Sequence, residues 1–489
     1  MAESQTPAGE PARVPLIING QDIYTPEQFD VISPKTGKHL WSCSSVTRYL
    51  ANDAAVSASR AFPAWSATKP AVRRGIFMRV ADLLEQRAAE FQAVMADEMG
   101  AVEPFVTLNT NLATEMIRDV AGRIAGALSG QTPICEGETY AIVQREPYGV
   151  VLGIAPWNAP FILGFRAVIY ALGAGSTCIL KGSEVSPRCF WLIGSIFRDA
   201  GLPDGCLNVI YHRPEDAAEI TTALIEHPAI RKINFTGSTA VGRIISATAG
   251  KNLKPVLMEL GGKASAIICE DADLRLAAKQ CAVGAFLNAG QICMSTERII
   301  VRQSVLSQFT ELLKAAISDV HGPEGTSHTV AQAGTVVRNR QLVKEAVSRG
   351  ATIIYGGHDE RNDNIQPLKL PVTVVQGVSP GMDLFQTESF GPTVSLIASE
   401  SDEHAIAIAN DTEYGLTAAV FTRDIAKGLL ISRQIRAGAV HINSMTVHDE
   451  AVLPHGGVKE SGWGRFNADA GLAEFLQTKT VTINTAQLN

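Results

Sequence analysis

Between Gly149 and Leu180 the chain carries one charged side chain, Arg166, in a run long enough to cross a bilayer. Pro156, Asn158 and Pro160 interrupt it early, and Gly173, Gly175 and Ser176 interrupt it late. These breaks argue against a membrane span and predict three pieces. They are a strand over Val150–Ile154, a helix starting near Pro160, and a strand over Thr177–Lys181. Strands apolar at every position bury both faces, which is the habit of a parallel sheet, so the run reads as a βαβ unit.

The alternation continues. A helix is predicted over Arg188–Ala200, strands over Leu207–Tyr211, Ile233–Phe235 and Val256–Leu260, and a helix over Ala240–Ala249. A second series follows, with a strand over Ala266–Cys269, a helix from about Leu274 to Leu287 behind Asp271 and Asp273, and a strand over Arg298–Val301. The expected class is α/β, with doubly wound parallel sheets in two units that meet near Gly261-Gly262. The polar, Pro-rich first fifteen residues lack the apolar core of a secretion signal and are expected to fray.

Composition narrows the partners. With 42 Lys+Arg against 49 Asp+Glu, interspersed, the net charge is −7, which disfavours nucleic acid and anionic membranes. The eight cysteines form no CxxC pair and the ten histidines no HxxxH pair, so neither a metal site nor a disulfide framework is indicated. A reducing, cytoplasmic setting is the expectation.

Doubly wound sheets bind ligands beyond the carboxyl ends of their strands. Asn158 lies at the first such turn, either as an oxyanion-stabilising amide or as the cap of the next helix. Phe235-Thr-Gly-Ser-Thr-Ala-Val-Gly242 opens another helix, where Gly237 and Ser238 offer N–H groups to a phosphate, although Ser238 also suits a plain cap. Glu259 ends an apolar strand, as a general base or half of an ion pair. Cys293, in Asn-Ala-Gly-Gln-Ile-Cys, is a nucleophile or inert packing.

Seven segments in order decide among these alternatives: Pro156-Trp-Asn158, Lys181-Gly-Ser-Glu184, Phe235-Thr-Gly-Ser238, Met258-Glu-Leu-Gly-Gly-Lys263, Gly290-Gln-Ile-Cys293, Glu388-Ser-Phe-Gly-Pro392 and Pro454-His-Gly-Gly-Val-Lys-Glu-Ser-Gly-Trp-Gly-Arg465. From Val14 to Leu488 the chain resembles the aldehyde dehydrogenase superfamily. The resemblance implies an NAD-binding domain (1–125 and 148–261), a catalytic domain (262–448), and a small β flap (126–147 and 467–489) that joins subunits into a homodimer or homotetramer. It implies Cys293 as nucleophile, Glu259 as base, and Asn158 with the Cys293 N–H as oxyanion donors. It places NAD against Ile154, Ala155, Pro156, Trp157, Lys181, Gly182, Ser183, Glu184, Phe235, Thr236, Gly237, Ser238, Val241, Gly242, Leu260, Glu388 and Phe390. No metal is implied.

Two positions depart from the family pattern. Gly182 stands where proline is common, and His455 stands where an aromatic is common, at the substrate mouth. The implied reaction is oxidation of an aldehyde through a Cys293 thiohemiacetal and a thioester that water resolves. A CoA-acylating enzyme and a catalytically silent relative are the rivals; retention of Glu259 favours hydrolysis, and retention of both Cys293 and Glu259 favours an active enzyme. Arg166, alone in its apolar run, needs either a structural carboxylate or a polar group on the ligand. The segments Pro156–Arg166 and Thr446–Ala451 resemble the salicylaldehyde and vanillin dehydrogenase branch. The expected substrate is therefore a hydroxylated aromatic aldehyde, with a carboxylated semialdehyde as alternative. Its expected pocket is Arg166, Ile162, Leu163, Leu287, Met294, His448 and His455.

Overall fold

The βαβ unit read from the apolar run is the centre of the first sheet. A computed structural model describes residues 13–357 and 368–484; the terminus expected to fray and the last residues of the expected flap lie outside the described residues. Val150–Ile154 and Thr177–Lys181 are adjacent parallel strands flanking the wholly buried helix Pro160–Ala174. Pro160 fits the first turn, where its missing N–H costs nothing, and Gly175, at φ 102°, ends the helix in a left-handed turn. At Gly153 a Cβ would stand 2.6 Å from the Ala167 carbonyl oxygen, so the strand lets its own crossover helix pack at backbone distance.

Five parallel strands form the core of this sheet, in the order Val256–Glu259, Ile230–Thr236, Val150–Ile154, Thr177–Lys181, Leu207–Ile210. The chain winds outward in both directions from Val150–Ile154. The topological switch point therefore lies between that strand and Ile230–Thr236. Antiparallel edges close the sheet, with Gly462–Trp463 beside Val256–Glu259 and Leu16–Ile18 beside Leu207–Ile210. Helices Pro160–Ala174 and Pro187–Asp199 pack on it, and Pro70–Gln86 and Glu103–Ala127 form a further layer over them.

The second sheet has seven strands in the order Thr352–Tyr355, Thr373–Gln376, Thr393–Ser399, Thr296–Arg302, Ala264–Ile268, Thr417–Phe421, Ala439–Ile442. All neighbours run parallel except the first pair. It has separate apolar cores on its two faces. Only Leu260–Lys263 separates the last central strand of the first sheet from Ala264–Ile268 of the second. This short link sets the carboxyl edge of one sheet against the amino edge of the other.

A two-stranded antiparallel ribbon, Thr139–Pro147 with Leu476–Asn484, stands apart from both sheets. The second segment of the expected flap, 467–489, starts too early. Ala468–Ala473 is a helix packed on Glu103–Ala127 and Pro160–Ala174, where burial of Leu472 and Phe475 holds it to the first domain.

Candidate active site

A cleft of about 380 Å³ opens at the switch point. Its walls come from the ends of three parallel strands of the first sheet, through Ile154–Asn158, Lys181 with Ser183, and Phe235–Ser238. Glu259 at the end of its strand, Gly261 of the link, Cys293, and Glu388 with Phe390 line it from the junction and the second domain.

Cys293 follows a strained turn. Asn288, Ala289 and Gly290 have φ of 51°, 56° and 70°, a conformation that an alanine holds only when its surroundings fix it. The fixing bonds are present. Asn158 Nδ2 donates to the Gln291 carbonyl at 3.0 Å, Asn288 Nδ2 donates to the Asn158 carbonyl at 3.3 Å, and Gln291 Nε2 donates to the Asn288 carbonyl at 2.9 Å. Asn158 does not cap the helix after it: the cap position is Ala159 and no side chain bonds there. One of its two amide hydrogens is committed to the Cys293 turn, leaving the other for a ligand. Gly262 is required by the same turn, since a Cβ there would lie 2.3 Å from the Cys293 carbonyl oxygen. The thiol is half-buried, and burial, then the negative charge of Glu259, push its pKa well above the ordinary value.

Glu259 is 1% exposed, and neither of its oxygens has a hydrogen-bond partner among the described residues. The ion-pair reading of this carboxylate is weak, because its nearest cationic candidate, His455 Nε2, stands 3.7 Å away. His455 Nδ1 lies 3.8 Å from Asp449 Oδ1, and the other Asp449 oxygen accepts from Arg166 Nη2. Arg166 is 2% exposed, so its partner is inside the protein. The expectation that its charge faces the ligand is corrected: the structural carboxylate is Asp449. Low dielectric makes such a pairing necessary for a buried guanidinium.

A second buried pair shapes the other wall. Lys263 Nζ donates to Glu297 at 2.7 Å and to the Thr387 carbonyl at 2.8 Å. Glu297 in turn accepts from the N–H groups of Ser389 and Phe390 at 2.9 and 3.2 Å. The pair thus holds the loop that presents Glu388 and Phe390. Glu388 accepts from the Gly262 N–H at 2.9 Å, and burial raises its pKa to about 7. The Phe390 ring meets Trp157 edge-on at 5.6 Å.

The family model that matches residues 23–481 is the aldehyde dehydrogenase family. The chain belongs to that family. Vanillin dehydrogenase of Pseudomonas fluorescens is 41% identical over 96% of this chain and 98% of its own. A salicylaldehyde dehydrogenase of Pseudomonas putida G7, solved with salicylaldehyde, superposes with a TM-score of 0.92 at 35% identity, covering 97% of this chain and 99% of that one. A betaine aldehyde dehydrogenase of Staphylococcus aureus, solved with NAD+, gives a TM-score of 0.91 at 27% identity, covering 97% and 95%.

Within this aldehyde dehydrogenase fold, the three residues read as catalytic meet at one cleft. Most of the residues read as cofactor contacts line it as well. Gly182, Glu184, Gly242 and Leu260 do not: Gly182 packs on Phe190, Gly242 packs on Leu260, and Glu184 accepts from Ser183 Oγ at 3.3 Å. Of the substrate set, Leu163 lines the cleft, while Ile162, Leu287 and Met294 pack into the first core. His448 pairs with Glu450 at 2.9 Å on the surface side. Gln332, Thr335 and Arg338 also line the cleft and were not read from sequence. They sit in and just before helix Ala333–Ser348, whose pattern is that of any amphipathic helix.

Proposed function

We propose that the protein oxidises aromatic aldehydes, hydroxylated ones in particular, to carboxylic acids with NAD. The observation that carries the chemistry is the meeting of Cys293, Glu259 and Asn158 at a cleft lined by the switch-point loops. The residues present fit a dinucleotide. The Gly237-Ser238 turn opens helix Thr239–Lys251 toward an anion, and Lys181 with Ser183 stands at an adjacent strand end. Glu388, Phe390 and Trp157 suit the nicotinamide end. NAD bound there supplies the hydride acceptor.

The chain's own residues account for the rest. Cys293, as thiolate, bonds to the aldehyde carbon, and the carbonyl oxygen takes the charge under the free amide hydrogen of Asn158. Oxidation leaves the acyl group on sulfur as a thioester. Water then attacks that carbon while Glu259 takes its proton, and the C–S bond breaks to release the acid. Glu259 suits this role because no hydrogen bond occupies its oxygens among the described residues.

The aromatic reading is supported by the vanillin and salicylaldehyde dehydrogenase relatives and by the apolar side chains of Trp157 and Leu163 in the cleft wall. The semialdehyde alternative loses its motive, because Asp449 neutralises the cation that would have met a carboxylate. The test is NADH formation with vanillin, salicylaldehyde, benzaldehyde and succinic semialdehyde, each with and without CoA. Higher kcat/KM on the aromatic rings, unaffected by CoA, is the expected result. A preference for succinic semialdehyde, or dependence on CoA, would overturn it. The charge of Glu184 near Lys181 favours NAD over NADP, which the same assay reads.

A further inference from the structure

Deep in the site, two buried polar atoms stand close together. Glu259 Oε1 and His455 Nε2 lie 3.7 Å apart, and neither makes a hydrogen bond among the described residues. That is about half an ångström beyond bonding distance, and such contacts commonly close only when substrate binds. This histidine leaves its inner nitrogen open toward the carboxylate read as the base. Its outer nitrogen, Nδ1, points to Asp449, itself held by Arg166 and by Asn467 Nδ2 at 2.8 Å. A carboxylate on Nδ1 favours the tautomer with the proton there and the lone pair on Nε2.

We propose that His455 relays the proton that Glu259 takes from water during thioester hydrolysis, with Asp449 fixing the imidazole in place. This rests on the reading of Glu259 as the base. As the water oxygen bonds to the thioester carbon, one water proton passes to Glu259, and the C–S bond breaks to leave the carboxylic acid and the Cys293 thiolate. The proton then moves from Glu259 to His455 Nε2, restoring the carboxylate and giving an imidazolium whose Nδ1–H faces Asp449. The imidazolium returns it to water.

The surroundings define an outward direction. Exposure rises from 1% at the Glu259 side chain to 9% at His455. The other charged and titratable groups about His455 are accounted for. Arg166 is spent on Asp449, and Arg465 on the carbonyls of Gly457 and Gly464 at 2.8 and 2.7 Å. His441 is pushed down to about 4 by burial first and then by its histidine neighbours, so it stays neutral and does not compete. The His455 backbone is tied to Phe466 in both directions, at 2.9 and 2.8 Å, so a changed side chain leaves the backbone in place.

The test measures the two chemical steps apart, with NAD and benzaldehyde. Stopped-flow absorbance reads NADH formation, and rapid-quench analysis reads acid release from the acyl-enzyme. His455→Gln keeps polarity but cannot take up a proton near neutral pH, and His455→Phe supplies the aromatic common in the family. Both are expected to form NADH within about twofold of the native rate and to release acid about tenfold more slowly or worse. In His455→Ala, added imidazole is expected to restore acid release in proportion to its neutral form, so rescue strengthens as pH rises through about 7. Native acid release in these variants, or equal slowing of both steps without imidazole rescue, overturns the relay. Glu259→Gln separates the two readings. If it releases acid at the native rate, Glu259 is not the base; if it is slow while the His455 variants are normal, the relay alone fails.

Discussion

The Cys293 thiol is held in its protonated form by burial first and by the Glu259 carboxylate second. A raised thiol pKa means little thiolate near neutral pH, so alkylation by iodoacetamide should be slow at pH 7 and accelerate up to about tenfold per pH unit above it. Removing the negative charge in Glu259→Gln lowers that pKa, and the mutant should alkylate faster than the native protein at pH 7.5. Slower alkylation would mean that Glu259 deprotonates the thiol rather than opposing it. Cys135→Ser is the proper background, because Cys135 is the one other cysteine that is not fully buried. At this scale, legibility came from the motifs. Cys293, Glu259 and Asn158 each kept an inert reading when taken alone, and only the seven family segments in order singled them out. Arg166 was readable as a cation in want of a partner, yet Asp449 lies 283 residues away and nothing local names it. Gln332 and Arg338 reach the cleft from the second domain, a juxtaposition that only the folded chain creates.

Helix Pro187–Asp199 shows how an element borrows what its own sequence lacks. Its cap residue, Ser186, makes no side-chain cap bond. Instead Glu98, from helix Ala88–Met99, accepts from the N–H groups of Arg188 and Cys189 at 2.9 and 3.0 Å, and from Trp41 Nε1 at 3.0 Å. Truncation to alanine strands three buried donors, at about 1–3 kcal/mol each, so Glu98→Ala should lower Tm by several degrees or more. Burial raises the Glu98 pKa to about 7, above the 4.5 of an unperturbed carboxyl. A group raised on folding gives its full stabilisation below the unfolded value and loses it as pH climbs through the folded value. The Tm deficit of Glu98→Gln, which does not titrate, should therefore be smaller at pH 8 than at pH 5. An equal deficit at both would show that Glu98 is charged in the native state throughout. Elements with apolar faces were legible to within a few residues, as in Ile230–Thr236 against the predicted Ile233–Phe235. The Gly462–Trp463 edge strand was not, since two residues carry no periodicity and the pairing with Val256–Glu259 is supplied by the sheet.

On the scale of the molecule, the ribbon Thr139–Pro147 with Leu476–Asn484 is the part whose stability the single chain does not explain. An isolated two-stranded hairpin is marginal in water, and the register sets its apolar residues on one side. Tyr140 pairs with Ile483 and Ile142 with Val481, and residues two apart share a face. These four side chains are 37–69% exposed, while Ala141, on the opposite face, is buried. An exposed apolar strip of this kind calls for a covering surface, and a second copy of the chain presents the same ribbon. We infer that the ribbon carries the subunit contact, in keeping with the flap read from the sequence. Light scattering after size exclusion should give a dimer or tetramer for the native chain at micromolar concentration. Ile142→Lys combined with Val481→Lys places two charges in that strip, directly opposite each other, and should shift the mass toward the monomer. The cleft lies outside the ribbon, so NADH formation by the dissociated variant tests whether assembly and chemistry are separable. A native chain that runs as a monomer, or a double variant of unchanged mass, would remove the ribbon from the interface.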